Sequence, residues 1–335
     1  MDDKGKYSGY ALVREMLQAP AVIENFASAG IRDLKELVFK TGRILFTGEG
    51  SSRIFPAKNA VNLAMRCRLP VRALTAGARE AGEYRLDDYV VMGASNSGRT
   101  RELIALFETL HQAGHTGLFC LTANSNRRLE SLCSRVFLLN CGKEEAVPAT
   151  KSVVEEALFY EQLLSELEAA SFTAALPPLA TAFRKTLSSP PPSEVVEAVA
   201  KADTVYFAGR NDGVAEELAL KTVEIARKKS CYLEGTYLLH GIEEVMSSRD
   251  VVIVIRGFPA EAQQIRQALM QGVGAAVFAV DTRQTIFQTI KVTDAGEFTN
   301  YLCLAAGWNL LVETGLLLGL NLDRPLRARK SGNAI

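Results

Sequence analysis

Short, unbroken apolar runs carry the hydrophobic pattern of this chain: ILF after Arg43, VVM from Val90, LFCL from Leu118, VYF from Val205, VVIVI from Val251 and AVFAV from Ala276. Continuous apolar residues, rather than an in–out alternation, mark strands covered on both faces. Between them lie amphipathic stretches with helical spacing, such as Glu102 to Leu110. Each half of the chain reads strand, helix, strand, helix, strand. That order predicts a doubly wound α/β fold, a parallel sheet with helices on both faces.

The pattern repeats once. Arg43 opens RILFTGEGSS and Thr204 opens TVYFAGRNDG; Tyr89 opens YVVMGAS and Asp250 opens DVVIVIR; both pairs lie 161 residues apart. GLFCLTANS at Gly117 and AAVFAVDTRQ near Ala276 follow at nearly the same offset. The expected organisation is a helical segment over 1–40, a first domain over 41–170, a linker over 171–193, a second domain over 194–320 and a tail over 321–335. Pro177-Pro178 and the run Ser188-Ser189-Pro190-Pro191-Pro192 place the linker, because proline lacks the N–H that a helix needs. The apolar stretch Leu302 to Leu320 contains Asn309 and Glu313 and reads as a buried helix rather than a membrane span.

At 335 residues the chain is long enough for two ordinary domains with ample core. Its 38 basic residues balance 38 acidic ones, which removes the cationic excess expected of a nucleic-acid or membrane-surface protein. Six cysteines show no CxxC spacing and are expected to be reduced and mostly buried in a cytoplasmic protein. The acidic opening Met1-Asp2-Asp3 carries no signal-peptide pattern. Three histidines form no metal-ligand spacing, so neither a metal nor another cofactor is expected.

The segment VVMGASNSGRT, Val90 to Thr100, is the most informative. A buried strand runs into Ser95, Asn96, Ser97, Gly98 and Thr100, and then into an amphipathic helix. Small hydroxyl residues between a strand end and a helix start make an anion cradle, since the first helical N–H groups lack partners and the dipole favours negative charge. The loop has neither the lysine of a nucleotide P-loop nor the GxGxxG spacing, so it suits a single phosphate. Gly48-Glu49-Gly50-Ser51-Ser52 follows the first strand in the same way, with Ser51 and Ser52 placed to cap a helix and donate to an anion. The bland alternative for both loops is an ordinary capped turn.

The repeat breaks at these positions. Ser95 to Thr100 correspond to Arg256, Gly257, Phe258, Pro259 and their neighbours, which cannot hold a phosphate in the same way. Conversely, Lys221 and Glu224 correspond to Ala60 and Leu63. Glu217, Lys221 and Glu224 share a helix face by their spacing of four and three. An exposed salt-bridged face would look the same; a carboxylate desolvated by this largely apolar helix would instead suit proton abstraction beside a carbonyl. The first half thus reads as the anchor and the second as the chemistry.

Taken together these residues resemble the double sugar isomerase (SIS) domain family over roughly 40–335. That family includes the isomerase half of glucosamine-6-phosphate synthase, stand-alone aminosugar-phosphate isomerases and deaminases, and fructosamine-6-phosphate deglycases. The phosphate loop Ser-Gln-Ser-Gly-Glu-Thr looks like Ser95-Asn96-Ser97-Gly98-Arg99-Thr100, and Gly-x-Gly-Thr-Ser looks like Gly48-Glu49-Gly50-Ser51-Ser52. Ala-Ser-Thr-Lys looks like Pro148-Ala149-Thr150-Lys151, and Leu-Lys-x-x-Glu looks like Leu220-Lys221-Thr222-Val223-Glu224. The ring-opening histidine, sixteen residues after that glutamate, falls on His240, and a C-terminal Lys-Ser falls on Lys330-Ser331.

The resemblance implies two flavodoxin-like SIS domains and a homodimer. It implies Gly50, Ser51, Ser52, Ser95, Asn96, Ser97, Thr100, Thr150, Lys151, Glu217 and Lys221 around a phosphorylated sugar or aminosugar. Glu224 is the implied base between C1 and C2, with His240 and Lys330 assisting. Departures are Arg99 in place of an acidic residue, and Thr236-Tyr237-Leu238-Leu239-His240-Gly241-Ile242 where the family has Gly-Glu-x-x-His-Gly-Pro. No glutaminase half and no helix-turn-helix segment are seen. The functional expectation is an isomerase or deaminase first and a deglycase second, with a non-catalytic sugar-phosphate sensor as the alternative from another class.

Overall fold

The computed structural model describes residues 1–2, 4–27, 30–165 and 169–328. Its first part runs α1 (Ala11–Glu24), α2 (Ile31–Thr41), β1 (Arg43–Gly48), α3 (Ile54–Arg66), β2 (Arg72–Gly77), α4 (Ala78–Ala81), β3 (Val90–Ala94), α5 (Arg101–Gln112), β4 (Leu118–Thr122), α6 (Arg127–Leu132), β5 (Arg135–Leu138) and α7 (Lys151–Leu164). Then come α8 (Ala169–Ser188), α9 (Ser193–Lys201), β6 (Thr204–Gly209), α10 (Val214–Lys221), β7 (Lys229–Glu234), β8 (Val251–Ile255), α11 (Ala262–Ile265), β9 (Ala276–Asp281), β10 (Gln288–Lys291) and α12 (Thr299–Leu317).

The described chain divides into two compact units. One holds Ala21–Glu144 and Ala149–Pro178 and contains the sheet β2-β1-β3-β4-β5; the other holds Met1–Pro20, Glu145–Pro148 and Leu179–Ala328 and contains β7-β6-β8-β9-β10. Every strand pair is parallel. The two orders are the same topology, with a switch point between β1 and β3 in one and between β6 and β8 in the other. The repeat is visible in the strands themselves, since β1 and β6, and likewise β3 and β8, begin 161 residues apart.

Each sheet is sealed by its own core. Leu45, Val91 and Cys120 pack with Leu103 and Phe107 of α5, while Tyr206, Val252 and Val277 pack with Ile265 and Leu269. Cys120, Cys141 and Cys303 are buried, the other three cysteines are half-buried, and all six are free thiols. α12 is buried almost all round up to Gly315, with Glu313 paired to Lys6 at 2.6 Å. Among the described residues no helix is long and apolar enough to cross a membrane.

The segment expected as a linker is largely helical. α8 continues through Pro177 and Pro178, and only 189–192 separate it from α9. Two successive prolines forfeit backbone donors, yet Phe172, Leu176, Leu179, Ala180, Phe183 and Leu187 are all buried along one stripe. Both prolines lie on the exposed side. Burial of the five Phe and Leu side chains of this stripe at about 1.5–3 kcal/mol each outweighs the lost helix bonds.

Candidate functional site

The hydroxyl loop lies at the C-terminal end of β3, beside β1, at the switch point where ligands of open α/β sheets bind. Ser95 is buried, and its Oγ shares a hydrogen bond of 2.7 Å with Thr100 Oγ1. Thr100 occupies the N-cap of α5 without making a side-chain cap bond. The plain capped-turn reading therefore fails here: the hydroxyl turns to Ser95 and leaves the first turn of the helix uncapped by it. Ser97 is half-buried and accepts from Arg99 N at 3.1 Å, which leaves its own proton to donate.

The loop after β1 forms a short 3₁₀ turn, Gly50–Ser52, and α3 begins only at Ile54. The serines thus precede the helix instead of capping it. Ser51 is buried, and the half-buried Ser52 hydroxyl takes no hydrogen bond among the described residues. Glu49 of the same loop caps α4, accepting from Ala78 N at 2.9 Å.

Gly98 has a role other than close approach to a ligand. Its φ is +66°, and a Cβ there would stand 2.9 Å from Asn124 O. Asn126 Nδ2 donates to Gly98 O at 2.6 Å, so the glycine is pinned against the loop after β4. Gly98→Ala is expected to cost about 1–2 kcal/mol from the left-handed backbone alone, and to weaken phosphate binding by moving Ser97. Thermal unfolding and titration with inorganic phosphate would measure both.

Asn96 faces inward. Its Nδ2 donates to Glu144 and, at 2.7 Å, to Ser152 Oγ. Glu144, which the sequence reading missed, is a buried hub. It accepts from Thr150 N at 2.8 Å, from Thr150 Oγ1 at 3.3 Å and from Ser152 Oγ at 2.7 Å. A carboxylate of the protein itself thus satisfies the N-terminus of α7. Thr150, Lys151 and Ser152 are all buried around it. These residues brace the hydroxyl loop against α7. No local spacing signals Glu144, because it lies seven residues before the first residue of the helix it caps.

In the other unit, Lys221 and Glu217 have no exposed side-chain surface, and Glu224 keeps 22%. Lys221 Nζ lies 2.8 Å from Glu224 Oε2 and 3.3 Å from Glu217 Oε1. Burial opposes the lysine's charge, but Glu224 and then Glu217 outweigh it, and its pKa is raised above the ordinary value. Of the two readings of this face, the salt-bridged one holds for the contacts, but the lysine at its centre is buried rather than exposed. Glu224 sits in a single π turn, Thr222–Ala226, which continues α10. Thr222 Oγ1 donates back to Leu218 O at 2.8 Å at that transition. Such turns recur at functional sites.

His240 is exposed and closes the 3₁₀ turn Tyr237–Leu239. Its Nε2 lies 3.4 Å from Thr236 Oγ1, and no hydrogen bond joins it to Glu224 among the described residues. Lys330 lies outside the described residues.

No family model and no curated protein sequence matches the chain. Solved structures do. The C-terminal domain of glucosamine-fructose-6-phosphate aminotransferase from Francisella tularensis superposes with a TM-score of 0.78 at 18% identity, over 94% of this chain and 98% of that one. Tagatose-6-phosphate ketose/aldose isomerase from Escherichia coli gives 0.76 at 15% identity, over 97% and 99%. Glucosamine-6-phosphate deaminase from Thermotoga maritima gives 0.72 at 18%, over 96% and 98%. The fold is therefore the one these structures share, two doubly wound α/β units with parallel sheets.

Proposed function

We propose that a protein with this fold and these two sets of residues is a phosphosugar isomerase, or an aminosugar-6-phosphate isomerase or deaminase, working by proton transfer between C1 and C2. The observation that supports this most is the asymmetry of the repeat. One half ends its third strand in Ser95, Ser97 and Thr100. The other replaces those hydroxyls with Arg256, Phe258 and Glu261, and carries a buried lysine holding a carboxylate that reaches solvent.

In this reading Ser52, Ser95, Ser97 and Thr100 donate to the 6-phosphate, with the α5 dipole behind them. His240 moves a proton from the C1 hydroxyl to the ring oxygen, which opens the sugar. Glu224 takes the C2 proton, leaving an enediol or enolamine, and returns it at C1. Lys221 keeps Glu224 in place, and Glu217, sealed from solvent, sets Lys221 from the opposite side. Lys330 is assigned to the opened carbonyl on the resemblance alone. For an aminosugar the same proton transfer gives an imine at C2, and water releases ammonia.

The test is incubation of the purified chain in D₂O with 6-phosphosugars, 2-amino-2-deoxy-6-phosphosugars and fructosamine 6-phosphates, followed by proton NMR. Loss of the C1 or C2 hydrogen signal with conversion, with or without released ammonia, is the expected result. Release of an amino acid would select the deglycase branch. Saturable binding of the whole panel with no exchange would leave a sensor.

A further inference from the structure

The second half of the repeat opens a cavity where the first half closes one. In the β1–β5 unit the loops after β3 and β4 are stapled together. Asn124 Nδ2, Thr122 Oγ1 and Ala123 N all donate to Asn96 O, at 2.8, 3.3 and 3.2 Å, beside the Asn126 bond to Gly98. In the β6–β10 unit Arg256 N still donates to Val280 O at 2.9 Å. Beyond it, no hydrogen bond joins 257–262 to 281–287 among the described residues. The gap between these loops is a cavity of about 410 Å³ at the C-terminal ends of β8 and β9.

Its lining is apolar: Val254, Phe258, Ile265, Ala279, Ile286 and Phe287. Phe258 and Ile286 remain 39% and 43% exposed, and the Arg210 guanidinium stands over the Phe258 ring at 4.6 Å. Two charged residues, Asp281 and Arg283, also line the cavity from one turn after β9. Asp281 Oδ1 accepts from Arg283 N at 3.1 Å and from Thr282 Oγ1 at 3.4 Å. Asp281 Oδ2 and the Arg283 guanidinium make no hydrogen bond or ion pair among the described residues. Two further polar groups are committed within the loop: Gln284 Nε2 donates to Phe287 O and Thr289 Oγ1, and Thr285 Oγ1 donates to Phe287 O.

An apolar cavity with a few convergent polar groups at a strand-end crevice has the make-up of a small-molecule site. The chemistry of this one is selective. A sugar would find few free partners for its hydroxyls. A single anion would meet Asp281, and a single cation would meet Arg283. One free carboxylate oxygen and one free guanidinium, two residues apart, match a zwitterion whose body is apolar. We propose that this cavity binds a free α-amino acid with an apolar side chain. The side chain fills the cavity, the α-carboxylate pairs with Arg283 and the α-ammonium pairs with Asp281. The site is independent of the proposed isomerisation.

Isothermal titration of the full chain with L-phenylalanine and L-leucine tests it, against glycine, L-phenylalaninamide and N-acetyl-L-phenylalanine. Saturable binding of one phenylalanine or leucine per chain is expected. Glycine, which lacks the apolar side chain, and the two blocked derivatives, which each lack one charge, should bind at least roughly tenfold more weakly, since burying such a side chain and making a charge-assisted hydrogen bond each contribute about that factor or more. Arg283→Gln should weaken phenylalanine by a similar factor and Ile286→Asp should abolish its binding. Both changes fall at exposed positions, and intact folding would be checked by the emission of Trp308. Ser97→Ala should leave the titration unchanged. The proposal is overturned by absence of saturable binding, by glycine binding as well as phenylalanine, or by binding that survives both cavity variants.

Discussion

Glu224→Gln is expected to lower the rate of C1/C2 proton exchange by ~10²–10⁴-fold, the usual contribution of a positioned general base. The affinity for a 6-phosphosugar should stay within a few-fold of wild type. Glutamine keeps the length of the side chain and can still accept from Lys221 Nζ, which lies 2.8 Å from Glu224 Oε2, so the fold should survive. What disappears is the ability to take a proton. The measurement is deuterium incorporation at C1 and C2 in D₂O, with kcat and KM determined separately. Thr100→Val provides the contrast: it removes a hydroxyl of the loop proposed to hold the phosphate and should act mainly on KM. Exchange near the wild-type rate in Glu224→Gln would assign the base to another residue.

Lys221→Met is expected to destabilise the β6–β10 unit by about 3–5 kcal/mol, the range for removing one partner of a buried ion pair. The Lys221 side chain is fully buried, and its loss leaves Glu217, also fully buried, without the cation at 3.3 Å. Urea unfolding followed by Trp308 emission reads this unit specifically. Trp308 is the single tryptophan, is fully buried, and belongs to α12 of the same unit. Adding Glu217→Gln to Lys221→Met should recover a large part of the loss, because the uncompensated carboxylate causes it. The lysine's pKa is raised in the fold. Its contribution is therefore fully present below the ordinary value of 10.5 and is lost only as pH climbs through the higher native value. The destabilisation by Lys221→Met should accordingly be the same across the neutral range. A loss under about 1 kcal/mol, as for a surface pair, would show that the triad is solvated.

The central strands were legible because β1, β3, β4, β6, β8 and β9 are covered on both faces and so must be apolar at every position. The edge strands β2 (RALTAG), β5 (RVFL) and β10 (QTIK) are short or broken by charged and polar residues and gave no such run. The Glu217, Lys221 and Glu224 spacing was readable as a helix face, and the structure adds that Lys221 lies between two carboxylates. Glu144 was not readable: its partners Asn96, Thr150 and Ser152 are spread over more than one element, and only the fold gathers them.

The sequence by itself determined the class of fold, its duplication at 161 residues, and the place where the two copies diverge. All three follow from which positions must be apolar and which strand-end loops carry hydroxyl, basic or acidic residues. Tertiary structure alone decided that Pro177 and Pro178 ride inside a helix, because a buried stripe outweighs two lost backbone bonds. It also decided that Asn96 turns away from the hydroxyl face toward Glu144, and that the loops after β8 and β9 stand apart around a cavity. Those outcomes depend on contacts between residues distant along the chain, whose energies no local pattern contains.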